Sequence, residues 1–222
     1  MKAKLVQQML DEHRGFTRGM DPGEAMDVGL RPKIKAWLES MSIEGCTIDD
    51  ELTINNYTES NIYLDKKLSE FPSYVKFGKI KGYFSCGSNG LASLLGWSPK
   101  EVRGSFYCND NHLGSLEGCP GTVGKDFICR HNHLLASLEG CPKTIEGYFS
   151  CDHNGLTSLK GCPEAVGGSF NCEWNKLTSL EGCPRTVGHN FYCGGNARKF
   201  SEREIRSICE VKGTVRTYVI NI

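Results

Sequence analysis

His131 and His153 stand twenty-two residues apart, each two places after a cysteine, in the segments CRHN and CDHN. Asp110 and Glu173 belong to the matching segments CNDN and CEWN, and Asp152 directly precedes His153. If segments of this length stack as rungs, equivalent residues lie roughly 4.7–4.9 Å apart. Two imidazoles and a carboxylate at that spacing can ligate a transition metal, and a ligand position left open permits hydrolysis, so a metal-dependent hydrolase or metal-binding protein is one reading. The plainer reading, solvated polar side chains on a surface, is preferred; it predicts no metal, no cofactor and no enzymatic activity. The G-x-S-x-G, Walker and H-E-x-x-H motifs that would mark other chemistries do not occur.

The chain has twelve cysteines, which also suggest zinc or disulfides. Their phase argues otherwise. Cys86, Cys108, Cys129, Cys151, Cys172 and Cys193 follow a phenylalanine as F-x-C, and Cys119, Cys141, Cys162 and Cys183 precede a proline in E-G-C-P or K-G-C-P. None forms the close pairs of a zinc cluster. Free cysteine behaves as a small apolar residue suited to a column that stacks on itself. Buried, reduced thiols are therefore expected, and with them a reducing, cytoplasmic setting.

These residues belong to a repeat. The F-x-C cysteines and the asparagines three places later, Asn89, Asn111, Asn132, Asn154, Asn175 and Asn196, recur every twenty-one or twenty-two residues. A fixed period of this size with apolar positions in phase predicts a solenoid. Phe and Cys at i and i+2 point to one side of a short strand. Leu91, Leu113, Leu134, Leu156 and Leu177, then Leu94, Leu116, Leu138, Leu159 and Leu180, line the interior, and Val102, Val123, Ile145, Val166 and Val187 close each turn. The asparagines bond to backbone groups where the chain leaves the strand. Two irregularities, at Trp97-Ser98 and at Leu134-Leu135, each add one residue outside the strand.

Around the array the sequence divides into a short helix and flexible leader over 1–30, an N-terminal cap over 31–60, repeats over 61–198 with a degenerate copy at 61–79, and a C-terminal cap over 199–222. Lys2 to Leu10 has helical spacing, and Phe16 to Pro32 reads as an irregular tether, alternatively a docking peptide through Phe16, Met20 and Met26. Lys33 to Ser40 predicts a helix with Ile34, Trp37 and Leu38 inward, and TIDDELTIN predicts strand residues around a polar turn. In the degenerate copy Leu64, Leu68 and Phe71 replace the cysteine and two leucines. Ser201 with Glu204 predicts a capping box opening a helix that buries Ile205, Ile208 and Cys209, followed by a strand after Gly213.

The 26 basic and 26 acidic residues cancel, which removes the electrostatic footprint of a nucleic-acid binder. No stretch reaches the roughly 18 apolar residues of a membrane span. A protein that engages neither nucleic acid nor membrane is expected.

The pattern F-x-C-x-x-N-x-L followed by S-L-E-G-C-P resembles the leucine-rich-repeat consensus L-x-x-L-x-L-x-x-N-x-L, with Phe and Cys at its two middle leucines. The match recurs in phase from 80 to 196. It is most similar to leucine-rich-repeat proteins of large tailed bacteriophages, which share the S-L-E-G-C-P runs, an F-x-R-G-x-D-P leader like Phe16 to Pro22, and a helical cap. The resemblance implies a curved right-handed solenoid, a parallel sheet on its concave face, and residence in a host cytoplasm. Some secreted effectors with similar repeats carry a cysteine-dependent ubiquitin ligase domain, for which the residues after Asn196 are too few.

On a concave face the side chains that flank Phe and Cys have no packing role. Tyr107, Ile128, Tyr148, Trp174 and Tyr192 are expected there together around Arg130, beside His131 and His153. Aromatics and arginine make protein-binding hot spots. The sequence thus favours a non-enzymatic module that grips a host or phage protein, with interference with a host defence as the purpose it would serve. The further alternative is a structural or self-associating phage protein, with the oligomeric state open.

Overall fold

The computed structural model describes residues 22–64, 68 and 70–218, with side chains from residue 28 onward. The expected helix at Lys2 to Leu10 and the docking residues Phe16 and Met20 lie outside the described residues, as does the side chain of Met26.

Each copy of the repeat supplies one strand to a parallel eight-stranded sheet running from Ile62–Tyr63 through Phe84–Ser85, Phe106–Tyr107, Phe127–Ile128, Phe149–Ser150, Phe170–Asn171 and Phe191–Tyr192 to Val215–Arg216. The register sets phenylalanine beside phenylalanine, with Ile62 and Val215 taking its place at the two ends. Alternation along the strand turns Phe and Cys inward, and every phenylalanine and cysteine of the F-x-C element is buried. Successive rings from Phe84 to Phe191 stand 6.1, 5.4, 5.6, 5.8 and 4.9 Å apart, distances at which aromatic pairs add about 0.5–1.5 kcal/mol beyond burial.

The valine column does more than close the turns. Phe77–Ile80, Glu101–Val102 and Thr122–Val123 continue a second parallel ladder from Ile54–Asn56, and Thr144–Ile145, Ala165–Val166, Thr186–Val187 and Glu210–Val211 form another. The ladder breaks between Val123 and Ile145, in the turn with the extra residue at Leu134-Leu135. There the expected core position is corrected by one: Leu135 is fully buried and Leu134 is 68 % exposed. The asparagine explains the shift. In four other turns its Oδ1 accepts from the leucine two residues after the preceding asparagine, as Asn132 does from Leu113 N at 3.0 Å. Asn154 instead accepts from Asn132 N at 2.6 Å, and Leu135 N turns back to Asn132 O at 2.8 Å.

The bend before each E-G-C-P or K-G-C-P proline needs a left-handed residue. Gly118, Gly140, Gly161 and Gly182 all have φ between 83° and 96°, and a Cβ on Gly118 would stand 2.8 Å from Leu95 Cα.

At the N-terminal end the helix begins earlier than expected, spanning Pro22–Ser40 with Pro32 inside it, so much of the expected tether is helical. An interior proline costs about 3 kcal/mol. Burial of Leu30, Ile34 and Leu38, four residues apart on one face, offsets that cost, which local composition could not show. Ser42, at φ 55°, ends the helix through Ile43 N to Leu38 O and Ser42 N to Glu39 O, the paired bonds of a Schellman cap. Thr47–Ile48 and Ile54–Asn56 then pair antiparallel. Trp97 stands where later turns carry cysteine; its ring stacks on Phe71 at 3.8 Å, and Trp37 packs against Phe71 at 5.9 Å, closing the end with aromatics.

At the other end Ser201 accepts from Glu204 N at 3.2 Å and caps the helix Glu202–Ile208. The Glu204 carboxylate pairs with Arg198 at 2.7 and 3.2 Å. Ile205 and Cys209 are buried, but Ile208, expected inside, is 49 % exposed, because a seven-residue helix lying on one end of the stack turns only one narrow face inward. Glu210–Val211 and Val215–Arg216 join the two ladders, so the cap is itself a last turn.

Candidate functional site

The outward residues of the long sheet, and the bend that follows each strand, form the candidate surface. Tyr63, Tyr83 and Tyr107 make an edge-to-face series at 5.2 and 6.0 Å on the first rungs. Tyr63 falls in the degenerate copy, where the sequence offered no phase to place it. Tyr107, Ile128, Tyr148 and Tyr192 are half-buried, while Arg130 and Trp174 are exposed. Tyr192 lies under the Arg216 guanidinium at 4.4 Å, and Arg216 in turn pairs with Glu173 at 3.2 Å. Tyr148 Oη donates to Ser150 Oγ at 3.3 Å, and burial pushes its phenol up from the ordinary value. The expected aromatics thus share one face, but only Trp174 among them is exposed.

The bend carries a feature that strand alternation does not predict. Ser88, Asp110, His131, His153 and Trp174 all have φ between 54° and 56°, and Gly195 follows at 70°. Each of the five non-glycine N–H groups donates to the carbonyl of the residue just before the matching bend residue of the next turn, His131 to Asp152 O at 3.2 Å and Trp174 to Gly194 O at 3.0 Å among them. Left-handed backbone costs an L-residue roughly 1–2 kcal/mol, least for glycine, asparagine and aspartate. Ser88→Val is therefore expected to lower stability by about 1–2 kcal/mol in a urea titration, with Ser88→Asn unchanged or higher. The signal was available in the glycine that shares a column with Trp174.

This bend stacks side chains into a continuous ladder. Asp110 Oδ1 lies 3.2 Å from His131 Nδ1, the His131 and His153 rings are 4.6 Å apart, and the His153 and Trp174 rings are 5.7 Å apart at 27°. The Trp174 ring covers Gly195, where a Cβ would stand 2.8 Å from ring atom Cδ2. Asp152 is buried, accepts from Ser150 Oγ, and meets His153 Nδ1 at 2.8 Å through its other oxygen. One ligand atom from each of His131, Asp152 and His153 lies within 4.8 Å of the other two. Glu173, adjacent in sequence to Trp174, is bonded to Arg216 instead.

The twelve cysteines are free of disulfides, and those of the F-x-C column are buried. Burial raises all of the thiols, Cys46 and Cys183 to about 11 and Cys119 to about 12, which makes them poor nucleophiles. Among the described residues no helix is long and apolar enough to cross a membrane.

No family model, curated protein or solved structure matches this chain.

Proposed function

We propose that the chain is a non-enzymatic protein-binding module that engages a partner protein through the outward face of its long sheet and the adjoining bend. The observation that carries this reading is Trp174. It is 44 % exposed, it occupies a left-handed position that glycine fills in the next turn, and its indole is backed by His153 on one side and Gly195 on the other. A large aromatic held rigid at a conformational cost is what an interface anchor requires, and tryptophan, tyrosine and arginine dominate such anchors. Arg130 is exposed on the same face, and the tyrosine series at Tyr63, Tyr83 and Tyr107 extends it. The leucine-rich-repeat resemblance supports this use of the face. The likeness to bacteriophage repeats makes a host or phage protein in a host cytoplasm the partner, with interference with host defence as the purpose it would serve. No cofactor is assigned.

Trp174→Gly separates binding from folding, because glycine relieves the left-handed backbone. The variant is expected to melt within a few degrees of wild type while losing about 30-fold or more in affinity for the captured partner. Comparative capture from host lysate with wild type and with a Trp174→Gly, Arg130→Ala double variant provides the test. The same proteins recovered in the same amounts by both would remove this face as the binding surface.

A further inference from the structure

The ladder on the bend contains two carboxylate–imidazole pairs on adjacent rungs, Asp110 with His131 and Asp152 with His153. Asp152 Oδ2 and His153 Nδ1, 2.8 Å apart, are two donor atoms that one ion can share in place of the proton between them, whereas Asp110 engages Nδ1 of His131, which places the proton of the neutral ring there and leaves the lone pair on Nε2. This is the tautomer a metal-binding histidine requires. The Asp152 oxygens accept from Ser150 Oγ and from His153, and a carboxylate retains further lone pairs beyond two such bonds. The backbone under the pairs is rigid: His131 N donates to Asp152 O at 3.2 Å, and His153 N to Glu173 O at 3.0 Å. Both imidazoles are close to 40 % exposed, so an ion can reach them from solvent.

We infer that His131, His153 and Asp152 form a surface site for a late first-row transition-metal ion such as zinc or cobalt(II), with Asp110 positioning His131. The donor atoms, within 4.8 Å of one another, must approach by about 1 Å to meet an ion at roughly 2.0–2.2 Å from each. Rotation of the half-exposed imidazoles supplies that movement. Three protein ligands leave a further coordination position open to water or to a side chain presented by a partner.

The test uses the purified full chain, stripped with a chelator and titrated with cobalt(II) and zinc, by absorbance and calorimetry. Wild type is expected to take up one ion and to show a cobalt d–d spectrum of nitrogen and oxygen ligands. His131→Asn, His153→Asn together should weaken binding by about 100-fold or more, and Asp110→Asn by about 10–100-fold. Asparagine suits left-handed backbone, so these variants keep the fold, which a thermal melt confirms. His112→Asn and His189→Asn should titrate as wild type. Wild type giving neither heat nor spectrum overturns the inference, and so does undiminished binding in the double variant. A sulfur-to-cobalt charge-transfer band would place the ion on the partly exposed thiols Cys46, Cys119 or Cys183 and equally overturn it. No partner protein enters the titration, so its failure leaves the binding role of Trp174 and Arg130 untouched.

Discussion

Asn132→Ala is expected to destabilise the chain by about 2–6 kcal/mol, and the isosteric Asn132→Asp by more. Asn132 is fully buried, and its Nδ2 donates to Cys108 O, Cys129 O and Arg130 O at 3.1, 3.0 and 3.3 Å while Oδ1 accepts from Leu113 N at 3.0 Å. Alanine leaves the Leu113 N–H unpaired, at about 1–3 kcal/mol, and removes two good donor bonds at about 0.5–1.5 kcal/mol each. The two cysteine carbonyls keep one partner apiece, from Asn111 and Asn154. Aspartate preserves shape but turns an anionic oxygen toward three carbonyls, and a buried uncompensated charge costs several kcal/mol. Against a typical stability of about 5–15 kcal/mol that change can unfold the protein. Urea denaturation measures the order; equal losses from Ala and Asp, or losses below about 0.5 kcal/mol, would show that the amide ladder is not what holds the turns together.

The second large effect is alkaline unfolding. Burial holds the thiols of Cys108, Cys129, Cys151 and Cys172 well above the ordinary 9.0, with neighbouring thiols in the column adding to the shift. Below pH 9 both folded and unfolded chains carry these protons, so the stability is fully present. Above it the unfolded chain releases protons that the folded chain keeps, and stability falls by about 1.4 kcal/mol per pH unit for each thiol. These four alone lower it by roughly 5–6 kcal/mol per unit, and the other raised thiols, Cys141 and Cys162 foremost, steepen the fall, which places cooperative unfolding at or below about pH 11. Thiolate absorbance and circular dichroism followed together should change in one transition. Thiolate appearing near pH 9 in a chain that stays folded would contradict the buried column. Cys151→Ala should flatten the dependence by about 1.4 kcal/mol per unit.

Both effects come from columns, and the columns were legible because their spacing repeats. Phe and Cys two apart can only share a face of a strand, and six copies in phase fix which face is inside. The asparagine role was legible for the same reason, and the Ser201 cap because its two residues act within one helical turn. The site was legible only in part. Its residue types could be read, but their exposure could not: Tyr192 is covered by Arg216, which reaches it from the C-terminal cap, and Asp152 is buried under Ser150 and His153.

The sequence by itself determined the period, the inward and outward sides of each strand, and the separation of His131 from His153 by one rung, since all of these follow from spacing along the chain. Only the tertiary structure decided that helix would run through Pro32, that Leu135 rather than Leu134 fills the core, that a second ladder joins the valines, and that the bend residues are left-handed and stack into a ladder. These depend on contacts between turns, whose free energy outweighs local preference; for the bend alone a trace stood in the sequence, at Gly195 in the column of Trp174.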